Sequence, residues 1–302
     1  MTLVDLHVHT NFSDGYDTPS DVVAQARDNG VGTIAITDHD NLGGIPEALA
    51  VGDRLGVKVI VGAEISSAFH GRTIHVLGLG LPQDNKDLNG LLERIYTRRK
   101  EKIIAKVEKI GAALAAAGKK PIDMDDFIAK QGRYFNREKA SEYLAINGFS
   151  ESQEAAFLLV TKAEIGAGYK ISAEEVIAAI RAAKGVAILA HPFARSTSLR
   201  SLDSTRAGEE KLLNELIAAG LDGFECYQSE YGPEETAFAL ELARKSGQLV
   251  SAGSDWHGAV CDTGWDIKSV KNYYPEHIGG LGITANKVAP LLGRLGIAVD
   301  RI

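Results

Sequence analysis

Five short apolar runs in this chain end on a histidine, aspartate or glutamate, and few folds accommodate a chain that repeats such an ending. Leu3-Val4-Asp5-Leu6 leads into His7 and His9, and Thr33-Ile34-Ala35-Ile36-Thr37 into Asp38-His39. Lys58-Val59-Ile60-Val61 leads into Gly62-Ala63-Glu64, Gly185–Ala190 into His191-Pro192, and Leu249–Gly253 into Ser254-Asp255-Trp256-His257. Brief apolar runs bounded by polar residues read as buried strands. Helix patterns lie between the first three. Thr18-Pro19-Ser20-Asp21 combines a hydroxyl cap, a proline in the first turn and an acid at the positive end of the dipole, and Asn29-Gly30 closes that helix. A second helix is expected from Ile45 to Leu55. Alternating strands and helices call for parallel strands with crossover helices. Polar residues gathered at strand C-termini are how such a barrel builds one active site.

The side chains at these endings share one chemistry. His7 and His9 stand two apart, which on an extended chain points both imidazoles to one side. Asp14 follows on a turn closed by Gly15. With His39, Glu64, His75 (in Ile74-His75-Val76-Leu77), His191, Asp255 and His257 they make six imidazoles and three carboxylates, leaving only His70 and His277 of the eight histidines outside. A single histidine at a strand end is explained by packing, but a set of nine is not. Nine donors exceed the four to six that one ion uses, so two or three ions sharing a carboxylate are expected. Nitrogen and oxygen ligands without thiolate suit manganese, iron or zinc. Glu225, inside Asp222–Tyr227, is placed on another strand of the same kind.

Composition narrows the alternatives. The 302 residues carry a formal charge of −7, which argues against a surface that coats nucleic acid generally. No apolar run approaches the ~20 residues of a membrane span, and the N-terminus has no export-signal pattern. Two cysteines, Cys226 and Cys261, form neither a Cys-x-x-Cys unit nor a disulfide framework, which suits the cytoplasm. The strand pattern stops between residues 88 and 184. One long helix is expected from Leu88 to Ala117, broken at Gly118-Lys119-Lys120-Pro121, with shorter helices around Met124–Lys130, Glu138–Ile146 and Ser152–Val160. The expected organisation is therefore a barrel from 1–87 and 185–302, with an all-helical insertion at 88–184 on its catalytic side. Residues 88–139 hold 13 Lys and Arg against 7 Asp and Glu, which beside a metal site points to a small anionic substrate, the alternative being a solvated helix face; no protein partner is expected.

The stretches His7-Val8-His9 with Ser13-Asp14-Gly15, Thr37-Asp38-His39, Gly62-Ala63-Glu64, His75-Val76-Leu77-Gly78, Leu189-Ala190-His191-Pro192 and Gly253-Ser254-Asp255-Trp256-His257-Gly258 resemble the PHP (polymerase and histidinol phosphatase) family. These are metal-dependent phosphoesterases with a distorted TIM-like barrel of about seven strand–helix units, a (β/α)7 arrangement. The resemblance implies three ion sites: His7, His9, Glu64 and Asp255 for the first, Glu64 with His75 and His191 for the second, and Asp14, His39 and His257 for the third. Asp14, Glu64 and Asp255 would be the catalytic carboxylates and manganese the leading metal. Water between two ions would be the nucleophile. Asp38 would orient a ligand imidazole from behind, and Glu225 would either do the same or be structural. The subgroup with a helical insertion acts on nucleoside 3′,5′-bisphosphates or trims short RNA from its 5′ end. That subgroup usually carries Gly-Arg-Pro-His in the insertion, where this chain reads Gly132-Arg133-Tyr134-Phe135. Arg133, Lys162 and Arg195 are the candidate phosphate contacts. Alternatives are a histidinol-phosphate phosphatase, an amidohydrolase (which would need a bridging lysine that is not visible) and a non-catalytic metal-binding regulatory module.

Overall fold

The computed structural model describes residues 2–165, 171–258 and 277–299, so Cys261 lies outside the described residues. Two compact units divide the chain, one of residues 1–92 with 170–302 and one of residues 93–169. These limits lie inside the expected insertion of 88–184: Leu88–Leu92 group with the first unit, and the helix at 173–182 packs against three of its strands.

The first unit is a seven-stranded sheet in sequential order: β1 (Leu3–Val8), β2 (Val31–Ile36), β3 (Lys58–Phe69), β4 (Arg72–Leu79), β5 (Val186–Leu189), β6 (Gly223–Gln228) and β7 (Leu249–Gly253). Just past β7 the sheet curls back onto β1, where Asp255 N–H donates to His7 O at 2.9 Å and His9 N–H to Trp256 O at 2.8 Å. Nearly closed, it forms a distorted barrel. Helices α1 (Pro19–Asp28) and α2 (Ile45–Leu55) cross between the first three strands, and α1 begins as its sequence dictates, with Thr18 Oγ1 accepting from Asp21 N–H at 3.1 Å.

One strand breaks the alternation. β4 runs antiparallel to both β3 and β5. Only His70 and Gly71 separate β3 from β4, and both have positive φ (46° and 77°), the backbone of a tight hairpin turn. No crossover helix fits there. The reversal brings the start of β4 to the end where the other strands finish, and His75 pairs with Ser66, two residues beyond Glu64.

Val4, Leu6, Ala35, Ile60, Leu77, Leu79, Val186 and Ile188 form one core cluster, joined by Leu291 and Leu292 of the last described helix. His75 shares the strand parity of Leu77 and Leu79, so it faces the side they face. A second cluster lies under α1 and α2, where Val22, Val23, Ala26, Ile45 and Ala48 cover Ile34, Ile36 and Val59. Burying each large aliphatic side chain contributes about 1.5–3 kcal/mol, so this packing holds the strand ends in place.

Helix α3 (Lys86–Ala116) begins in the first unit and continues into the second, which also contains α4 (Met124–Lys130), α5 (Arg137–Ile146) and α6 (Gln153–Lys162). Ile103, Val107, Phe127, Phe135, Leu144 and Val160 form its core. Lys106 is buried there with its Nζ donating to Val160 O at 2.6 Å and Thr161 O at 3.3 Å, a cation on the negative end of α6. Helix α7 (Ala173–Ala182) returns the chain to β5. None of the helices among the described residues is long and apolar enough to cross a membrane.

Candidate metal centre

All nine ligand-type side chains expected from sequence meet at one end of the barrel. β1 delivers the first two, with His7 Nε2 and His9 Nε2 3.1 Å apart. Asp255, on the connection that closes the barrel, brings Oδ1 to 3.3 Å from His7 Nε2 and 3.2 Å from His9 Nε2. Its φ of 57° is unusual for a residue with a side chain, and the bond from its N–H to His7 O holds it there.

Glu64 stands at the centre. Its Oε2 lies 3.3, 3.2 and 3.2 Å from His7 Nε2, His9 Nε2 and His39 Nδ1. Its Oε1 lies 2.8 Å from His75 Nδ1 and 2.9 Å from His191 Nε2. One buried carboxylate thus faces five imidazoles. Asp14 gathers the remainder: Oδ1 is 3.4 Å from His9 Nδ1 and from His257 Nε2, and Oδ2 is 3.5 Å from His39 Nε2.

By mutual distance the donors fall into three groups, each with ligand atoms within 4.8 Å of one another: His7, His9, Glu64 and Asp255; His9, Asp14, His39 and His257; and His39, Glu64 and His75. The first matches the expected first site. In the second, His9 is an addition to the expected trio. Its Nε2 faces Glu64 and Asp255, and its Nδ1 lies 3.4 Å from Asp14 Oδ1 and 3.3 Å from Ser13 Oγ. In the third, His39 stands where His191 was expected, and His191 reaches the set through Glu64 Oε1 alone.

Do these residues fit divalent ions? Asp14 Oδ1 and His75 Nδ1 are buried, converge on opposite partners, and yet make no hydrogen bond. His75 Nδ1 lies 2.8 Å from Glu64 Oε1 without hydrogen-bonding alignment, the relation of two co-ligands rather than of donor and acceptor. Six imidazoles and three carboxylates without thiolate are a donor set for manganese, iron or zinc. They fit. The charges agree: although burial opposes it, the surrounding imidazoles hold Glu64 and Asp14 well below the usual carboxylate range and lower Asp255 too. Burial would lower His9, but Asp255 and Glu64 at its Nε2 push it up to about 10 when no ion is present. Burial takes His39 down to about 4.

A layer of buried carboxylates supports this cluster. Asp38 accepts from Thr10 N–H at 2.8 Å, Thr10 Oγ1 at 2.7 Å and Ser13 Oγ at 2.6 Å, so it reaches His9 through the loop and Ser13 rather than by touching an imidazole. Glu225 lies 3.0 Å from His7 Nδ1 and accepts from His191 N–H at 2.6 Å. Two further residues escaped the sequence reading. Asp5 accepts from Ser254 N–H and Gly279 N–H, both at 2.9 Å, and so anchors the backbone that carries Asp255. Asp40 accepts from Ser66 N–H at 2.7 Å while its own N–H donates to Glu64 O at 3.0 Å. The alternation Asp5-Leu6-His7-Val8-His9 was the available signal for Asp5. The candidate phosphate contacts are divided between the two units. Arg195 is exposed on the loop after His191, with its N–H 3.3 Å from Glu230 Oε2; Arg133 and Lys162 are exposed on the helical unit.

The comparisons with known proteins agree with this geometry. The chain is 29% identical to a 3′,5′-nucleoside bisphosphate phosphatase of Chromobacterium violaceum, over 91% of this chain and 94% of that one. It is 29% identical to a 5′-3′ exoribonuclease of Haemophilus influenzae, over 84% and 89% respectively. A crystal structure of a Bifidobacterium adolescentis protein assigned to the metal-dependent phosphoesterases superposes with a TM-score of 0.76 at 30% identity, covering 99% of this chain and 97% of that one. A model of the PHP domain matches residues 5–164, more than half of the sequence. With that match and this barrel, the chain belongs to the PHP domain family.

Proposed function

We propose that this metal-dependent phosphoesterase hydrolyses a phosphate ester of a nucleotide, releasing phosphate from a nucleoside 3′,5′-bisphosphate or trimming short RNA from its 5′ end, in the cytoplasm. The reading rests on Glu64, whose two oxygens are divided between His75 and His191 on one side and His7, His9 and His39 on the other. A carboxylate divided in this way would bridge two ions. His7, His9, Glu64 and Asp255 would hold the first ion, Glu64, His75 and His191 the second, and Asp14, His39 and His257 the third, with manganese the leading candidate. Divalent ions there supply a nucleophilic water at neutral pH and neutralise charge on phosphoryl oxygens, so no serine or cysteine attacker is needed.

The side chains do the rest. Glu64 is 1% exposed and acts from below, whereas Asp255 and Asp14 keep 13% and 18% of their side chains open, so the phosphate enters on their side. Asp14 Oδ1, between His9 Nδ1 and His257 Nε2, stays ionised there and would hold its ion beside the reacting group. The nucleotide assignment follows the two curated relatives, each of which spans most of this chain. A lysine-bridged amidohydrolase site is not favoured, because the residue at that strand end is Glu64 and no lysine would stand in the bridging position.

The test is phosphate release by manganese-loaded protein from adenosine 3′,5′-bisphosphate, short 5′-phosphorylated RNA, histidinol phosphate and 4-nitrophenyl phosphate, with Asp255→Ala as the blank. Turnover of either of the first two, absent from the blank, is expected. Turnover of histidinol phosphate alone would move the protein to that branch. No turnover by a metal-loaded protein would overturn the phosphoesterase reading for these substrates and favour a regulatory module.

A further inference from the structure

We propose that Glu225 is a positioning residue that sets two ligands on different strands at once, the tautomer of His7 and the backbone of His191. The inference rests on the metal-site reading above. Glu225 lies on β6 with no exposed surface, and both of its oxygens are used: Oε1 is 3.0 Å from His7 Nδ1, and Oε2 accepts from His191 N–H at 2.6 Å. With both oxygens engaged, Glu225 is not itself a ligand.

A carboxylate only accepts hydrogen bonds. In the neutral form that binds an ion, His7 therefore carries its proton on Nδ1 and turns the lone pair of Nε2 towards Glu64 Oε2 and Asp255 Oδ1, each 3.3 Å away, and towards His9 Nε2 at 3.1 Å. A lone pair facing two carboxylate oxygens is the orientation of a ligand awaiting a cation. The second bond acts on a different strand. His191 has a φ of 31°, in the left-handed region that a residue with a side chain rarely enters. Its N–H is fixed there by Glu225, which leaves Nε2 2.9 Å from Glu64 Oε1.

The surroundings leave this carboxylate no freedom. A Cβ on Gly253 of β7 would lie 2.6 Å from Glu225 Oε1 and 2.2 Å from His7 Cβ. Glycine at 253, glutamate at 225 and histidine at 7 thus interlock across three strands. Because one side chain orients a ligand of the first ion set and a ligand of the second, its loss weakens both sets together.

Glu225→Gln keeps the shape but offers one acceptor in place of two. If the amide oxygen serves His191, the NH2 faces His7 Nδ1 and drives its proton onto Nε2, blocking the ligand atom. If the oxygen serves His7, donor faces donor at His191. The experiment uses zinc-loaded full-length protein. Nitrogen-15 histidine NMR reads the His7 tautomer, assigned by its loss in His7→Ala, and elemental analysis after graded chelation reads the ions retained. We expect Nδ1–H at His7 in the parent, and a 10–100-fold weaker hold on more than one ion in Glu225→Gln. Glu225→Asp, which keeps both acceptors, should recover part of that loss; it decides the question if the glutamine variant does not fold. A parent-like tautomer and unchanged ion retention in Glu225→Gln, with His7→Ala depleted, would overturn the role of Glu225 alone. Unchanged ion retention in His7→Ala as well would overturn the metal-site reading itself.

Discussion

Gly253→Ala adds one methyl group where the barrel has no space for it. The new Cβ would stand 2.2 Å from His7 Cβ, 2.6 Å from Glu225 Oε1 and 2.9 Å from His7 N. Carbon atoms in contact sit about 3.5–4.0 Å apart, so β1 and β7 must part, or His7 must swing, by more than about 1 Å. Backbone is among the obstructing atoms, so a flexible side chain cannot absorb the change. Overpacking of this kind costs about 1–3 kcal/mol, which for a unit of this size lowers the thermal midpoint by about 2–12 °C. The protein stays folded at 25 °C, but a ligand displaced by about 1 Å costs on the order of 100-fold in rate. Thermal melting, ion content and phosphate release are measured side by side. Gly90→Ala is the control, since Gly90 is exposed on α3 and its new Cβ meets nothing within 4 Å. We expect the control to be fully active and up to about 1 kcal/mol more stable. A Gly253→Ala protein with full ion content and parent rate would refute the reasoning that the packing of β7 sets His7.

Four further outcomes are expected. In the ion-free protein His9 sits at about 10 and His7 and His191 are raised as well, whereas ions need neutral imidazoles. Ion binding at about pH 7 should therefore release protons, seen by calorimetry in buffers of different ionisation enthalpy, and affinity should climb as pH rises; no proton release would contradict this. Because its folded value is above the ordinary one, the pairing of His9 contributes stability to the ion-free fold that is full below about 6.5 and lost as pH rises through about 10, which melting curves against pH would read. Burial pushes the Cys226 thiol far up, so in a Cys261→Ser background a thiol reagent should label it only on unfolding; rapid labelling of native protein would show that β6 opens. Phe135 is 2% exposed in the core of the helical unit, so Phe135→His should lower stability by about 3 kcal/mol without raising activity, and a gain in phosphate release would contradict its place in the core.

Much of the centre was legible because its residues are placed by local rules. Two-residue spacing on a strand points His7 and His9 the same way, and strand endings bring His39, Glu64, His191 and Asp255 to one end of a parallel barrel. The reversal of β4 was not legible. It depends on His70 and Gly71 both taking positive φ, and His-Gly carries a weaker hairpin signal than Asn-Gly. His75 still joins the others, because a reversed strand begins where its neighbours end. The supporting carboxylates were only partly legible. Asp5 and Asp40 act by accepting backbone N–H bonds from Ser254, Gly279 and Ser66, contacts between distant segments that no local spacing encodes. The limits of the helical unit were blurred for a related reason. α7 carries the same apolar spacing as an insertion helix, and only its packing on β3, β4 and β5 assigns it to the barrel.

The most direct measurement is a titration of ion-free protein with manganese, following phosphate release from adenosine 3′,5′-bisphosphate together with the ions bound per chain. No activity is expected without ions, with a rise to a plateau at two to three bound per chain and no rise for Glu64→Gln. Full turnover in excess chelator, or a plateau reached equally by Glu64→Gln, would contradict a bridged metal centre at the end of this barrel.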